Sequence, residues 1–143
     1  MKISTRGRYA IRVMVNLAMH SKDNFIPLKE IADEEEISFK YIENIMTLLA
    51  KNNLVIGKNG KNGGYKLSKN AKDYTIGEIL SVTENELAIV SCLDCKEVCS
   101  RQDHCKVKPM WKKLNNMIID YFNSVSLLSL LSNNQEFSYG EGI

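Results

Sequence analysis

A mainly α-helical fold with one small β-hairpin is what this sequence predicts, on three observations. Two short segments with helical apolar spacing, near 27–35 and 38–51, are joined by a tight polar link. Directly after them, two β-prone runs flank the stretch "GKNGKNGG", rich in Gly, Asn and Lys. Nearer the C-terminus, apolar residues recur at intervals of 3, 4, 3, 4 and 3 from Trp111 to Leu128. Together these describe a winged helix-turn-helix domain plus a long C-terminal dimerisation helix.

From Thr5 to Met19, Tyr9, Ala10, Val13, Met14, Leu17 and Ala18 recur at helical spacing. Arg6, Arg8, Arg12 and Asn16 mostly fall on the other side, so the first helix is amphipathic with a basic face. Pro27 suits the start of a second, short helix, whose stripe is Leu28, Ile31 and Ala32. Ser38 is a good N-cap for a third helix, with Tyr41, Ile45, Leu48 and Leu49 read as its inward stripe until Asn52 and Asn53 stop it.

That phase leaves Ser38, Phe39, Lys40, Glu43, Asn44 and Thr47 outward near the start of the third helix. These are groove-reading types: a carboxylate accepts from cytosine N4, an amide pairs with adenine, and an ammonium meets phosphate. A helical hairpin with a polar solvent face is the alternative for this segment alone. The hairpin that follows, Leu54 to Lys58 and Tyr65 to Leu67, presents Lys58, Lys61 and Lys66 on a glycine-rich backbone suited to close approach. A basic hairpin directly after such a helix pair is a wing.

Thr75 with Glu78 three residues later is a capping box that starts a helix from Ile76 to about Thr83. Beyond the cysteines, Trp111, Leu114, Ile118, Tyr121, Val125 and Leu128 form the heptad seam, widened by Met117 and Phe122, with Pro109 near its start. A helix of ~20 residues spans roughly 30 Å, longer than so small a body needs, so the seam is expected to pair with a second copy as a homodimer. The expected organisation is a DNA-binding domain at 1–83, a cysteine-rich loop at 84–107, a dimerisation helix at 108–131 and a loosely ordered polar tail at 132–143.

The net charge of +2 hides an asymmetry. Residues 1–72 hold 13 Lys/Arg against 7 Asp/Glu, or +6, and residues 73–143 hold 6 against 10, or −4. A basic half suited to a polyanion precedes an acidic half with another task. Arginines interrupt the apolar positions near the N-terminus, so no signal-peptide core or membrane span is expected and the chain is read as cytoplasmic. His20 and His104 lie in unrelated segments and no phosphate-binding loop or nucleophile motif is present, so an enzyme is not expected.

All 4 cysteines fall in "CLDCKEVCSRQDHC", at Cys92, Cys95, Cys99 and Cys105. In a reducing compartment, clustered cysteines point to metal or redox chemistry rather than to stapling. Four thiolates in one loop can hold an iron–sulfur cluster or tetrahedral zinc. Zinc knuckles usually pair two tight C-x2-C units, and only the first pair here is tight.

In order, "ISTRGRYAIRVMVNLA", "IPLKEIADEEEISFKYIENIMTLLAKNNLV", "GGYKLSK" and "TIGEIL" resemble the Rrf2 family of bacterial winged-helix transcription regulators, over nearly the whole chain. The resemblance implies a dimer binding a palindromic double-stranded operator, with DNA contacts drawn from Arg6, Arg8, Ser38, Phe39, Lys40, Tyr41, Glu43, Asn44, Thr47, Lys58, Asn59, Lys61 and Tyr65. Glu43 matches a glutamate that takes part in base discrimination in cluster-binding members. Family wings often carry arginine where this chain has Asn59, which weakens carry-over of minor-groove readout there.

The resemblance also implies iron–sulfur ligation by Cys92, Cys99 and Cys105, with Trp111 following the loop. The family's histidine ligand, three residues after the third cysteine, is replaced by Lys108, a poor ligand while protonated. Cys95 is the substitute carried forward, because all-thiolate ligation is the commonest arrangement; His104 and a residue from a partner subunit are the alternatives. A 2Fe-2S cluster is favoured and a 4Fe-4S cluster is compatible. The expected function is a dimeric DNA-binding regulator sensing iron–sulfur or redox status. The alternative is a metal-independent repressor controlled by a protein partner or thiol oxidation, its loop empty or zinc-bound.

Overall fold

The computed structural model describes residues 2–20, 23–94 and 99–132. Its helices are α1 (Thr5–Met19), α2 (Leu28–Glu35), α3 (Phe39–Lys51), α4 (Ile76–Thr83) and α5 (Lys108–Ser124), with strands β1 (Val55–Lys58) and β2 (Gly64–Leu67) between α3 and α4. Hydroxyl caps place three of the starts: Ser4, Ser38 and Thr75 accept from the backbone N–H of Gly7, Tyr41 and Glu78 at 3.0, 3.3 and 3.1 Å. The expected capping box at α4 forms only in part. The Glu78 carboxylate instead takes the Lys69 ammonium, both oxygens at 2.9 Å.

The apolar stripes of α1 to α4 meet in one core, where Val13, Met14, Ile31, Ile42, Ile45, Met46, Leu49, Ile79 and Leu80 are fully buried. The inward stripe of α3 is therefore Ile42, Ile45, Met46 and Leu49, which corrects the expected stripe by putting Ile42 and Met46 in place of Tyr41 and Leu48. Tyr41 is only half-buried because its ring meets that of Tyr9 edge-on, with centroids 5.7 Å apart. Tyr74 closes the far side of the core. Its hydroxyl donates to the Leu54 carbonyl at 2.7 Å and accepts from the N–H groups of Ser68 and Lys69 at 2.9 and 3.1 Å.

Glu36, at φ 54, turns the chain out of α2 and leads within two residues to the Ser38 cap. That tight link sets α3 against α2 as a helix-turn-helix. In the hairpin, Val55 pairs with Leu67, Ile56 with Lys66, Gly57 with Tyr65 and Lys58 with Gly64. Ile26 exchanges two backbone bonds with Tyr65, each 2.9 Å, and so ties the hairpin to the chain entering α2. Gly64 permits this: its φ is +146, and a Cβ there would lie 2.1 Å from the Ile26 carbonyl oxygen.

Two of α1's arginines are engaged within the fold. Arg6 donates through Nε (2.8 Å) and Nη2 to the Thr83 carbonyl at the end of α4, while Ser4 Oγ donates to Glu84 at 2.6 Å. The start of α1 and the end of α4 thus cap each other. Arg12 binds Glu35 of α2, with Nε 3.1 Å from the carboxylate. Asn16, expected on the polar side, is buried, and its amide donates to Glu34 and Glu35. That hydrogen bond from Asn16 holds the Glu34 carboxyl below its ordinary range, and His20 adds to the effect.

The last helix departs from expectation in length. α5 ends at Ser124, so Val125 and Leu128 do not continue its seam. Instead, Val125 accepts from the Ile76 N–H at 2.9 Å, the Leu127 N–H reaches the Tyr74 carbonyl at 3.0 Å, and Val125 and Leu127 are buried in the chain's own core. Leu128 opens a short 3-10 turn and is half exposed. No residue of α5 is buried, and Met110, Leu114 and Met117 are exposed along it. Trp111, Ile118 and Tyr121 are half-buried.

Candidate nucleic-acid interface and cysteine loop

The first turns of α3 present Phe39, Lys40, Asn44 and Thr47 to solvent, with Glu43 partly covered. Phe39 is 52% exposed, a large apolar ring left in water beside the Ser38 cap. Glu43 lies 3.6 Å from the Lys40 ammonium, an exposed pair one turn apart that holds the carboxylate without spending it. The Thr47 hydroxyl donates to the Glu43 carbonyl at 2.8 Å, so toward a ligand it can only accept.

In the wing, Asn59, Gly60 and Lys61 are exposed at a tip where Gly60 takes φ +92 and its carbonyl accepts from the Gly63 N–H at 3.0 Å. The Tyr65 ring lies against Gly57 across the hairpin, close enough that a Cβ on Gly57 would stand 3.0 Å from it. Tyr65 is half-buried and braces the wing. Sequence reasoning missed Phe25. The Lys58 and Lys66 ammonium groups sit 5.5 and 4.8 Å from its ring centroid, so one aromatic face collects two wing cations. Nothing in local spacing signals that contact, which joins residues on either side of the helix pair.

Of the α1 arginines proposed for DNA, Arg6 is committed to Thr83, whereas Arg8 is exposed and bonded only along its own helix, to Thr5 Oγ1 at 3.1 Å. Of the predicted cations, Arg8, Lys58 and Lys61 are exposed, Lys58 over the Phe25 ring, and Lys40 on α3 lies next to Glu43.

Cys92, Cys99 and Cys105 are free, half-buried thiols on the loop between α4 and α5. Cys92 lies in a short 3-10 turn, Ser91–Leu93, and the loop is tied to α5 by the Ile89 N–H donating to Asn115 Oδ1 at 3.0 Å. Cys95 lies outside the described residues. His104 is exposed beside Cys105, and Lys108 opens α5 where the family's histidine would stand. Thiols are the ligand type of an iron–sulfur cluster and of zinc, but among the described residues these three do not come together as one ligand-sized group.

A helix-turn-helix whose second helix offers polar side chains to solvent, followed by a lysine-bearing hairpin, defines a winged-helix DNA-binding regulator. The chain belongs to the Rrf2 family, described as iron-dependent transcriptional regulators, which matches residues 3–133. It is 33% identical over 135 residues to the HTH-type transcriptional regulator IscR of Pectobacterium atrosepticum, covering 94% of this chain and 82% of that one. Among solved structures it is similar to CymR, the global cysteine regulator of B. subtilis, with TM-score 0.75 and 29% identity over 94% of this chain and 99% of that one. It is also similar to T. potens IscR, with TM-score 0.72 and 28% identity over 99% and 94%. These relatives are named as regulators, not enzymes. No helix among the described residues is long and apolar enough to cross a membrane.

Proposed function

We propose that the protein is a dimeric operator-binding regulator whose DNA affinity responds to an iron–sulfur cluster held on the loop between α4 and α5. The observation that carries this reading is the trio of free, half-buried thiols at Cys92, Cys99 and Cys105, placed between the winged domain and the exposed face of α5. The family's description as iron-dependent supports it. Cys95 is the proposed fourth ligand, in place of the histidine that Lys108 replaces, and a 2Fe-2S cluster is favoured. When bound, the cluster supplies a redox-sensitive group joined to one stretch of chain by several bonds.

The chain's own residues perform the rest. Glu43 selects a base by accepting from cytosine N4 and by leaving a carboxylate unmatched near any base that offers no donor. Arg8, Lys58 and Lys61 supply phosphate affinity, and Phe25 steadies the wing lysines. Exposed Met110, Leu114 and Met117 on α5 are covered by a second copy, and its two-fold symmetry calls for a palindromic operator. The Ile89–Asn115 bond links the loop, just before its Ser91–Leu93 turn, to α5, so loop order biases how the two winged domains are set.

Likeness to CymR favours a second reading, in which the same thiols act by oxidation or hold zinc and a protein partner controls the regulator. Anaerobic purification separates the two. The expected result is coloured protein containing iron and acid-labile sulfide, with the colour lost in Cys99→Ser. Colourless protein with stoichiometric zinc, or no metal, would replace the first reading with the second.

A further inference from the structure

Phe39 opens α3, and of the large apolar residues of that helix it alone is exposed. Its ring stands 52% in water, while Ile42, Ile45, Met46 and Leu49 are buried. Folding makes no use of it. An apolar residue just before a helix cap commonly packs against one in the first turn, which fixes how the chain enters the helix. Around the Ser38 cap those two places belong to Ile37 and Ile42, and both are buried. Phe39 takes part neither in the core nor among the half-buried residues packed against it.

A single exposed apolar side chain is ordinary on a protein surface; the place of this one gives it a task. Residues four apart on a helix lie on one face, one above the other. Phe39, Glu43 and Thr47 therefore form one row on α3, with Lys40 and Asn44 beside it. Each of those neighbours donates or accepts hydrogen bonds, and the phenyl ring does neither. Base pairs show donors and acceptors along the major groove and one apolar group, the C5-methyl of thymine. That methyl is the feature of a base edge that an apolar ring can match.

We propose that Phe39 reads a thymine methyl in the operator, so that α3 selects a thymine close to the base pair that Glu43 selects. This rests on the reading of α3 as the helix that enters the major groove. Four residues of helix rise about 6 Å, and successive base pairs are about 3.4 Å apart, so the two contacts fall within about two base pairs of each other. Glu43 acts through a hydrogen bond, whereas Phe39 acts because ring and methyl leave water together.

The test uses the full chain, prepared without oxygen, and a duplex that it selects from random-sequence DNA. Replacing each thymine in turn by deoxyuridine removes one methyl and leaves every hydrogen-bonding group of the base in place. Affinity should fall by about fourfold at one position of a half-site, the worth of one methyl group taken out of water. That position should lie within about two base pairs of the one where Glu43→Ala relaxes the preference. Phe39→Ala and Phe39→Gln should each bind the thymine and deoxyuridine duplexes equally, while Phe39→Leu, still apolar, should keep part of the difference. Selective binding in which no thymine methyl matters, or a methyl effect that persists in Phe39→Ala and Phe39→Gln, would overturn the proposal and leave operator binding standing. Failure of the unsubstituted chain to select any sequence would overturn the reading of α3, and the proposal with it.

Discussion

The winged domain and the segment after it are built to different degrees of completion. Up to Thr83, each helix contributes fully buried residues, hydroxyl caps start α1, α3 and α4, and α1 and α4 close on each other through Arg6 and Ser4. From Glu84 to Ser132, among the described residues, only Val125 and Leu127 enter the core, and both lie beyond the end of α5. α5 has no fully buried residue, only half-buried ones such as Tyr121 and Phe122 against the core, and leaves Met110, Leu114 and Met117 in water. The first region is closed by its own contacts except where Val125 and Leu127 complete its core. The second leaves apolar side chains of α5 exposed, the surface that the proposed second copy would cover.

The sharpest way to break that contrast compares two leucines. Leu127→Ala removes a fully buried side chain and should cost about 2–5 kcal/mol in denaturant unfolding. Leu114→Ala should change the stability of a single chain by less than about 0.5 kcal/mol, yet weaken self-association measured by sedimentation. Equal destabilisation by the two, with no change in association, would mean that α5 is finished within one chain.

Next in size is Glu43→Ala, which should leave folding intact and cost about 1–3 kcal/mol of discrimination at one base pair, read by competition between operator variants. Smallest is Lys61→Ala at the wing tip, where affinity should fall by a similar factor for all sequences and the slope of log affinity against log salt should shrink by about one.

Much of the fold was legible because its signals are local. The bounds of α1 and α4, the Ser38 and Thr75 caps and the position of the wing follow from apolar period, hydroxyl placement and turn residues. Misreadings arose where a distant contact decides. Tyr41 reads as core by type, yet Tyr9 holds it at the edge while Ile42 and Met46 take the interior. The heptad intervals run on through Val125 and Leu128 with no glycine or proline to stop them, yet bonds to Ile76 and Tyr74 pull the chain off the helix after Ser124. Arg6 and Arg12 counted toward a basic face until Thr83 and Glu35, many residues away, claimed them. The cysteine spacing points to ligand chemistry without naming a fourth donor, because Lys108 stands where the resemblance leads one to expect a histidine.

The central claim is that the cysteine loop controls the recognition helices. Operator affinity of one anaerobic preparation, measured before and after removal of its cluster at fixed salt, tests it most directly. The account predicts a change of about tenfold, within the ordinary range of coupling between two sites, and loss of that difference in Cys99→Ser. Equal affinities with and without the cluster would contradict it.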